Sequence, residues 1–341
     1  MSGQAEDRPA IGGYLQFELR YDGAELHADA LRYQSSRAAL LALLQVQRPA
    51  AVWLPWYICD SAIEPLHAAG VAIKRYSIDR DFYVQAADVA ADEWLLYVNY
   101  FGLCDSQVDD VLRRFPPERV LIDNAQALFA MPRDCLANLY SPRKFVGVPD
   151  GGYLIGRAAL SEPTQIDTGS LDRSAHLLKR LAFDAETGYA DYAAAEQSLS
   201  GQEPQRMSAL TRHMLSGIDY ESVQRRRRAN YDLLHSRLRA YNPSALARHP
   251  DSVPLCYPLF RAPDGLRETL FGERIYTPGY WPEVATNDSA PPLERELAKR
   301  TLFIPCDQRL APDQIEQMAG FLAAKLAERD SPGERTRPAH A

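Results

Sequence analysis

The chain has 341 residues, 46% of them hydrophobic and 24% charged, with a formal net charge of −7. That length leaves room for one large core and a smaller appended lobe, and the composition excludes a disordered or fibrous chain. An acidic balance lacks the basic footprint of a nucleic-acid or membrane-surface binder, so the expected partner is a small molecule, with no nucleic acid and no membrane.

Cys59, Cys104, Cys135, Cys256 and Cys306 stand apart without a Cys-x-x-Cys pair. This argues against a zinc ribbon or a disulfide framework and for reduced thiols. Met1 to Pro9 is polar where a signal peptide needs a basic start and an apolar run, and no stretch approaches membrane-span length, so the expected location is the cytoplasm.

From Asp29 to Gln47 the apolar residues Leu40, Leu41, Leu43 and Leu44 recur at helical spacing, with Ser35 and Ser36 near a helix start. Short apolar runs follow at Ala51 to Pro55, Val71 to Tyr76, Trp94 to Asn99, Arg119 to Ile122 and Gly152 to Ile155. Helix-like stretches, Ser61 to Ala69 and Ser106 to Phe115, lie between several of them. This alternation predicts an α/β domain with a largely parallel sheet. Beyond about Leu160 the chain turns to helix-favouring stretches, Ser174 to Leu199 and Tyr220 to Tyr241. In the second of these, Arg225 to Arg228 reads as a solvated run, because a helix spreads four consecutive residues around its circumference. Pro254 to Leu326 reads as a small α+β lobe closing on a helix, Pro312 to Glu328, and Asp330 to Ala341 as a frayed tail. The expected divisions are a segment over 1–28, a large domain over 29–235, a small domain over 236–329 and a tail over 330–341.

Polar residues collect where ligands bind in such sheets, at the carboxyl ends of strands. The segments are Val98-Asn99-Tyr100-Phe101-Gly102, Leu121-Ile122-Asp123-Asn124-Ala125-Gln126 and Tyr140-Ser141-Pro142-Arg143-Lys144-Phe145, the last running into Pro149-Asp150-Gly151-Gly152. Tyr33-Gln34-Ser35-Ser36-Arg37 completes the set.

In kind and order these segments resemble those of the DegT/DnrJ/EryC1/StrS family of sugar aminotransferases, which depend on pyridoxal 5'-phosphate (PLP) and have fold type I, over most of residues 30–160. The resemblance implies a large domain with a mostly parallel mixed sheet between helices, plus a small C-terminal α+β domain. It makes Lys144 the catalytic Schiff-base lysine and assigns Asp123 and Gln126 to the pyridine ring. Ser35, Ser36 and Arg37 fall to the phosphate, with Ser141 and Arg143 adding to it, and Asn99 to the ring's substituents. The implied reaction moves an amino group from an amino acid to the keto group of a nucleotide-linked sugar. A homodimer is implied too; the segment Gly201 to Ser208, including Arg206, polar and proline-containing between helical stretches, is the expected loop to cross to the partner.

The residue types suit that chemistry. The pyridine ring withdraws electrons best when its nitrogen is protonated, and a carboxylate beside it favours that state. The lysine must lose a proton near neutrality, which desolvation or a neighbouring cation promotes. A helix N-terminus offers free N–H groups to a phosphate. Plainer readings stand beside these: Asp123 as a turn cap, Ser35 and Ser36 as ordinary N-caps, Asn99 as a turn residue.

The chain also departs from the family. Ser36 replaces a glycine in the phosphate turn. The expected ring-stacking aromatic lies four residues past a proline, where counting from Pro55 reaches Cys59; Tyr57 is assigned the role, with Trp56 also nearby. These departures keep open an alternative, a fold-type I scaffold without turnover that serves as a sensor or structural partner. Metal ligands are not expected.

Overall fold

The computed structural model describes residues 13–20, 23–243 and 246–330. Residues 1–12 and the expected tail beyond residue 330 lie outside them. The first strand, β1 (Leu31–Tyr33), leads into helix α1 (Ser36–Gln47), and strand β2 (Ala51–Pro55) into α2 (Asp60–Ala69). Strands β3 (Ala72–Tyr76) and β4 (Glu93–Val98) precede α3 (Asp105–Arg114), and β5 (Val120–Asn124), β6 (Ala137–Tyr140) and β7 (Gly152–Ile155) complete the sheet.

These seven strands lie in the order β1-β7-β6-β5-β4-β2-β3. The five from β3 to β6 run parallel, while β7 is antiparallel to both β6 and β1. Every residue of β4 is buried, as expected of a near-continuous apolar run covered on both faces. The helix expected from Asp29 begins only at Ser36, because residues 31–33 pair with β7 instead. Strand β6 was not among the expected runs; its polar Asn138 is buried with its amide bonded to Arg133 and Ile155 carbonyls, so the side chain is satisfied within the sheet.

A helical region follows: α4 (Ser170–Arg173), α5 (Ala175–Ala182), α6 (Ala185–Ser198), α7 (Ala209–Ser216) and α8 (Tyr220–Leu238). The single helical stretch expected over 174–199 is broken at Phe183, and Asp184 starts α6 afresh by capping Thr187. The remainder comprises β8 (Cys256–Leu259), α9 (Leu266–Gly272), α10 (Pro282–Thr286), α11 (Pro292–Arg300), β9 (Leu302–Pro305) and α12 (Pro312–Asp330). Strands β8 and β9 form a second, antiparallel sheet, and α12 packs along α8. Among the described residues no helix is long and apolar enough to cross a membrane.

Strand β7 and the start of α1 meet at a tight approach. Gly151 has φ of 120°, a conformation that side chains rarely adopt, and its N–H donates to the Gln34 carbonyl at 2.7 Å. A Cβ on Gly152 would overlap the Ser35 carbonyl carbon and the Ser36 amide nitrogen. Gly152→Ala is therefore expected to cost about 3 kcal/mol in urea unfolding through overpacking against backbone. A cost under about 1 kcal/mol would show that the turn moves aside freely.

Candidate active site

The carboxyl ends of β4, β5 and β6 deliver Asn99, Asp123 and Ser141 to one edge of the large sheet. Asp123 keeps some accessible surface but is densely surrounded, so burial pushes its carboxyl above the usual carboxylate range. The Lys144 ammonium opposes that rise, which sets the two groups within each other's field. Asp123 Oδ1 also accepts the Ala125 N–H at 2.8 Å, so the turn-capping role and a charge role coexist in one carboxylate. Lys144 ends a single helical turn, Pro142–Lys144, and its side chain is exposed.

Gln126 is 2% exposed. Its Oε1 accepts the Phe101 N–H at 2.9 Å, while its Nε2 is buried with no partner. A buried donor left unspent costs free energy unless something accepts from it. Phe101 itself has φ of 58° and ψ of 8°, unusual for a bulky residue, and is held by Gln126 on one side and by the Leu255 N–H on its carbonyl at 2.8 Å.

Ser35 is the N-cap of α1, its Oγ accepting from Ala38 N at 3.1 Å. Ser36 is the first helical residue and does not have positive φ, so the family's glycine is not needed there. Arg37 NH1 lies 3.0 Å from Glu64 Oε2, though not aligned for a hydrogen bond, and Glu64 also accepts from Ser200 Oγ at 2.8 Å. The charge expected to meet a phosphate is thus matched within the chain. Arg143 is likewise paired, to Glu196 of α6. Ser141 is buried at the start of the lysine turn and makes no side-chain cap bond there.

Packing within the chain engages two more of the expected residues. Asn99 is a loop-organising residue: Nδ2 donates to Asp105 Oδ1 (3.2 Å) and Asn124 Oδ1 (3.1 Å), and Oδ1 accepts from Cys104 N at 3.1 Å. Tyr57 does not offer a ring face, since it is 0% exposed, stacked on Tyr100 at 5.7 Å and met edge-on by Trp281 at 4.2 Å. Trp56 instead lies beneath the Arg75 guanidinium, 5.3 Å away, and Cys59 Sγ is 3.0 Å from Ser61 Oγ. The segment expected to cross to a partner pairs within its own chain. Gln205 exchanges bonds with Gln34, and Arg206 bonds through its backbone to Gln165 and Asp167.

Sequence reasoning missed two buried clusters. One surrounds Arg227, which the charge run disguised; it is 2% exposed and bonds to the carbonyls of Phe145, Pro254 and Leu255. The other joins Asp150, Asp167 and Arg173. Arg173 pairs with Asp167 and lies 3.9 Å from Asp150, which is 0% exposed and has one oxygen without a partner. Burial, and then the adjoining Asp167 carboxyl, push Asp150 up to about 7.

Among solved structures the chain is similar to the sugar aminotransferase CalS13 from Micromonospora echinospora, with 17% identity, 86% of this chain and 87% of that one covered, and a TM-score of 0.59. DesV from S. venezuelae, solved in complex with a ketimine intermediate, matches with 17% identity over 92% and 90% of the two chains and a TM-score of 0.62. DesI, solved in the presence of its TDP-sugar product, matches with 19% identity over 88% and 81% and a TM-score of 0.60. No protein-family model matches the chain, and no curated protein does. What the chain shares with these structures is their α/β architecture, fold type I.

The Asp150 pair gives stability a definite pH dependence. The folded chain holds the Asp150 proton up to about pH 7, whereas an unfolded aspartate loses it near 3.8. The native state therefore binds more protons between those values, and stability falls as pH rises through the window. Asp150→Asn, which keeps the neutral shape, is expected to flatten that slope and to gain about 4 kcal/mol over the parent at pH 8. Parallel stability curves for the two proteins between pH 4 and 8 would remove the assignment.

Proposed function

We propose that this chain is a PLP-dependent aminotransferase with Lys144 as its catalytic residue, acting on a keto group of a nucleotide-linked sugar with an amino acid as donor. The observation that carries this reading is the placement of Asp123 and Lys144 at the ends of the paired strands β5 and β6 of a fold-type I sheet, with Lys144 opposing the rise of the Asp123 carboxyl. Two further features fit the cofactor: the unspent Nε2 of Gln126, and the N-terminus of α1 laid against the side-chain-free Gly152. The covered ring of Tyr57 does not fit the stacking role, so that role is not assigned to it.

When bound, the cofactor ring withdraws electrons from the carbon that carries the transferred amine. The residues supply the rest. Asp123, pushed toward protonation by burial yet drawn to a cation, holds a proton at a nitrogen base beside it. Ser35 and Ser36, at the start of α1, would hold the cofactor phosphate against the free N–H groups of that helix. Lys144 Nζ, on a side chain exposed to solvent, accepts and returns the proton of the reacting carbon. The sugar substrate class rests on the fold shared with CalS13 and DesI.

Borohydride treatment of cofactor-loaded protein followed by peptide mass spectrometry is expected to find the added mass on Lys144 and to lose it in Lys144→Ala. Mass on Lys74 or Lys179, which pair with Glu93 and Asp191, would overturn the reading. Asp123→Asn is expected to keep the cofactor but slow a single-turnover half-reaction by about 100-fold, the scale of a lost acid–base group. An unchanged rate would leave Asp123 a turn cap only.

The same reading makes the protein a cytoplasmic homodimer. The exposure of Lys144 beside a densely surrounded Asp123 supports a second copy covering that side. Sedimentation at assay concentration is expected to give the dimer mass; a monomer with full turnover would end that proposal.

A further inference from the structure

We infer that Arg227 is the positioning residue of the lysine turn, fixing the backbone on which Lys144 stands; this rests on the proposed role of Lys144. Arg227 lies on the inward face of α8. Its Nε donates to Gln308 Oε1 at 2.9 Å, NH1 to the carbonyls of Pro254 (3.2 Å) and Leu255 (3.0 Å), and NH2 to the Phe145 carbonyl at 3.1 Å. The guanidinium carbon sits 4.7 Å from the centre of the Phe145 ring. Gln308 Nε2 donates to the same Phe145 carbonyl at 2.8 Å.

Among the described residues no carboxylate forms an ion pair with this cation; Asp307 is nearby but bonds both oxygens to Arg309. Burial accordingly lowers the affinity of Arg227 for its proton. A buried charge without a counter-ion is costly, and for stability alone a well-packed apolar side chain serves as well or better. What an apolar side chain cannot do is hold a carbonyl. Phe145 is gripped at three points: its N–H and that of Val146 both donate to Pro142 O at 2.9 Å, its carbonyl takes two donors, and its ring lies against the guanidinium. Lys144 is the preceding residue, so its Cα is set by this grip while its side chain stays exposed. The planar five-donor fork matters here. A lysine offers one point charge and cannot span carbonyls from residues 145, 254 and 255 together.

The test uses the full chain in two states. In the cofactor-free chain, amide exchange at Phe145 and Val146 is expected to speed at least tenfold in Arg227→Met, with β5 and β6 unchanged. In the cofactor-loaded chain, formation of the borohydride-fixed link at Lys144 is expected to slow at least tenfold and the visible circular dichroism per bound cofactor to fall by more than half. Arg227→Lys is expected not to restore either. Should Arg227→Met not fold, Gln308→Met, which removes one of the two donors to Phe145, is expected to show both effects at about threefold. Unchanged exchange at residues 145 and 146 in a folded variant overturns the inference. So does faster exchange with an unaltered link rate, because Arg227 would then be structural only. If the parent protein forms no link at Lys144 while exchange still responds to Arg227, the proposed function falls and the grip on the turn stands.

Discussion

A buried guanidinium that forms no ion pair among the described residues, its donors spent on carbonyls and one amide, is the constraint on which the candidate site depends. Arg227 joins the turn after β6 to the segment entering β8, and the Leu255 N–H in turn holds the carbonyl of Phe101 after β4. Gln126, after β5, holds the Phe101 N–H. Three neighbouring strand ends and the second sheet are thereby one hydrogen-bonded unit. The positive φ of Phe101 costs on the order of 1–3 kcal/mol by itself, and persists because both its N–H and its carbonyl are held.

The rest of the site follows from the direction of the strands. Parallel strands present their carboxyl ends together, so Asn99, Asp123 and Ser141 arrive at one edge without further design. Antiparallel β7 then brings its first residue, Gly152, to that edge, where the missing side chain admits the start of α1. The arginines around this edge are balanced locally, Arg37 by Glu64, Arg143 by Glu196 and Arg173 by Asp167. Arg227 is the exception: among the described residues it forms no ion pair, although Asp307 lies within its field. Its donors go to carbonyls, which fix geometry.

How much of this was legible in the sequence varies with how local the cause is. The apolar runs of β2, β4 and β7 declare themselves because burial on both faces demands them. Residues 31–33 do not, since three residues beside a helical pattern carry no period of their own and become a strand only by pairing with residues 152–154. Ser35 could be placed from capping chemistry alone. Tyr57 could not, because what removes its ring faces is Tyr100 and Trp281, the latter more than two hundred residues along the chain. Arg227 was the least visible. Within a run of four arginines, only the rotation of α8 selects the one that turns inward, and rotation is set by packing against β8 and α12.

The two buried aspartates at this edge illustrate how neighbours divide a common tendency. Burial pushes both Asp123 and Asp150 toward the neutral form. Asp123 then meets a cation, Lys144, which draws it back toward ionisation, whereas Asp150 meets another carboxyl, Asp167, which reinforces protonation. Asp123 thus has a cation and the Ala125 N–H favouring its charged form against burial. Arg173, paired with Asp167 and 3.9 Å from Asp150, ties the segment before α4 to the glycine turn. Both sit beside strands of one sheet, and both are short acids. Burial acts on both in the same direction, and the neighbouring group, an ammonium for Asp123 and a carboxyl for Asp150, opposes it in one and adds to it in the other.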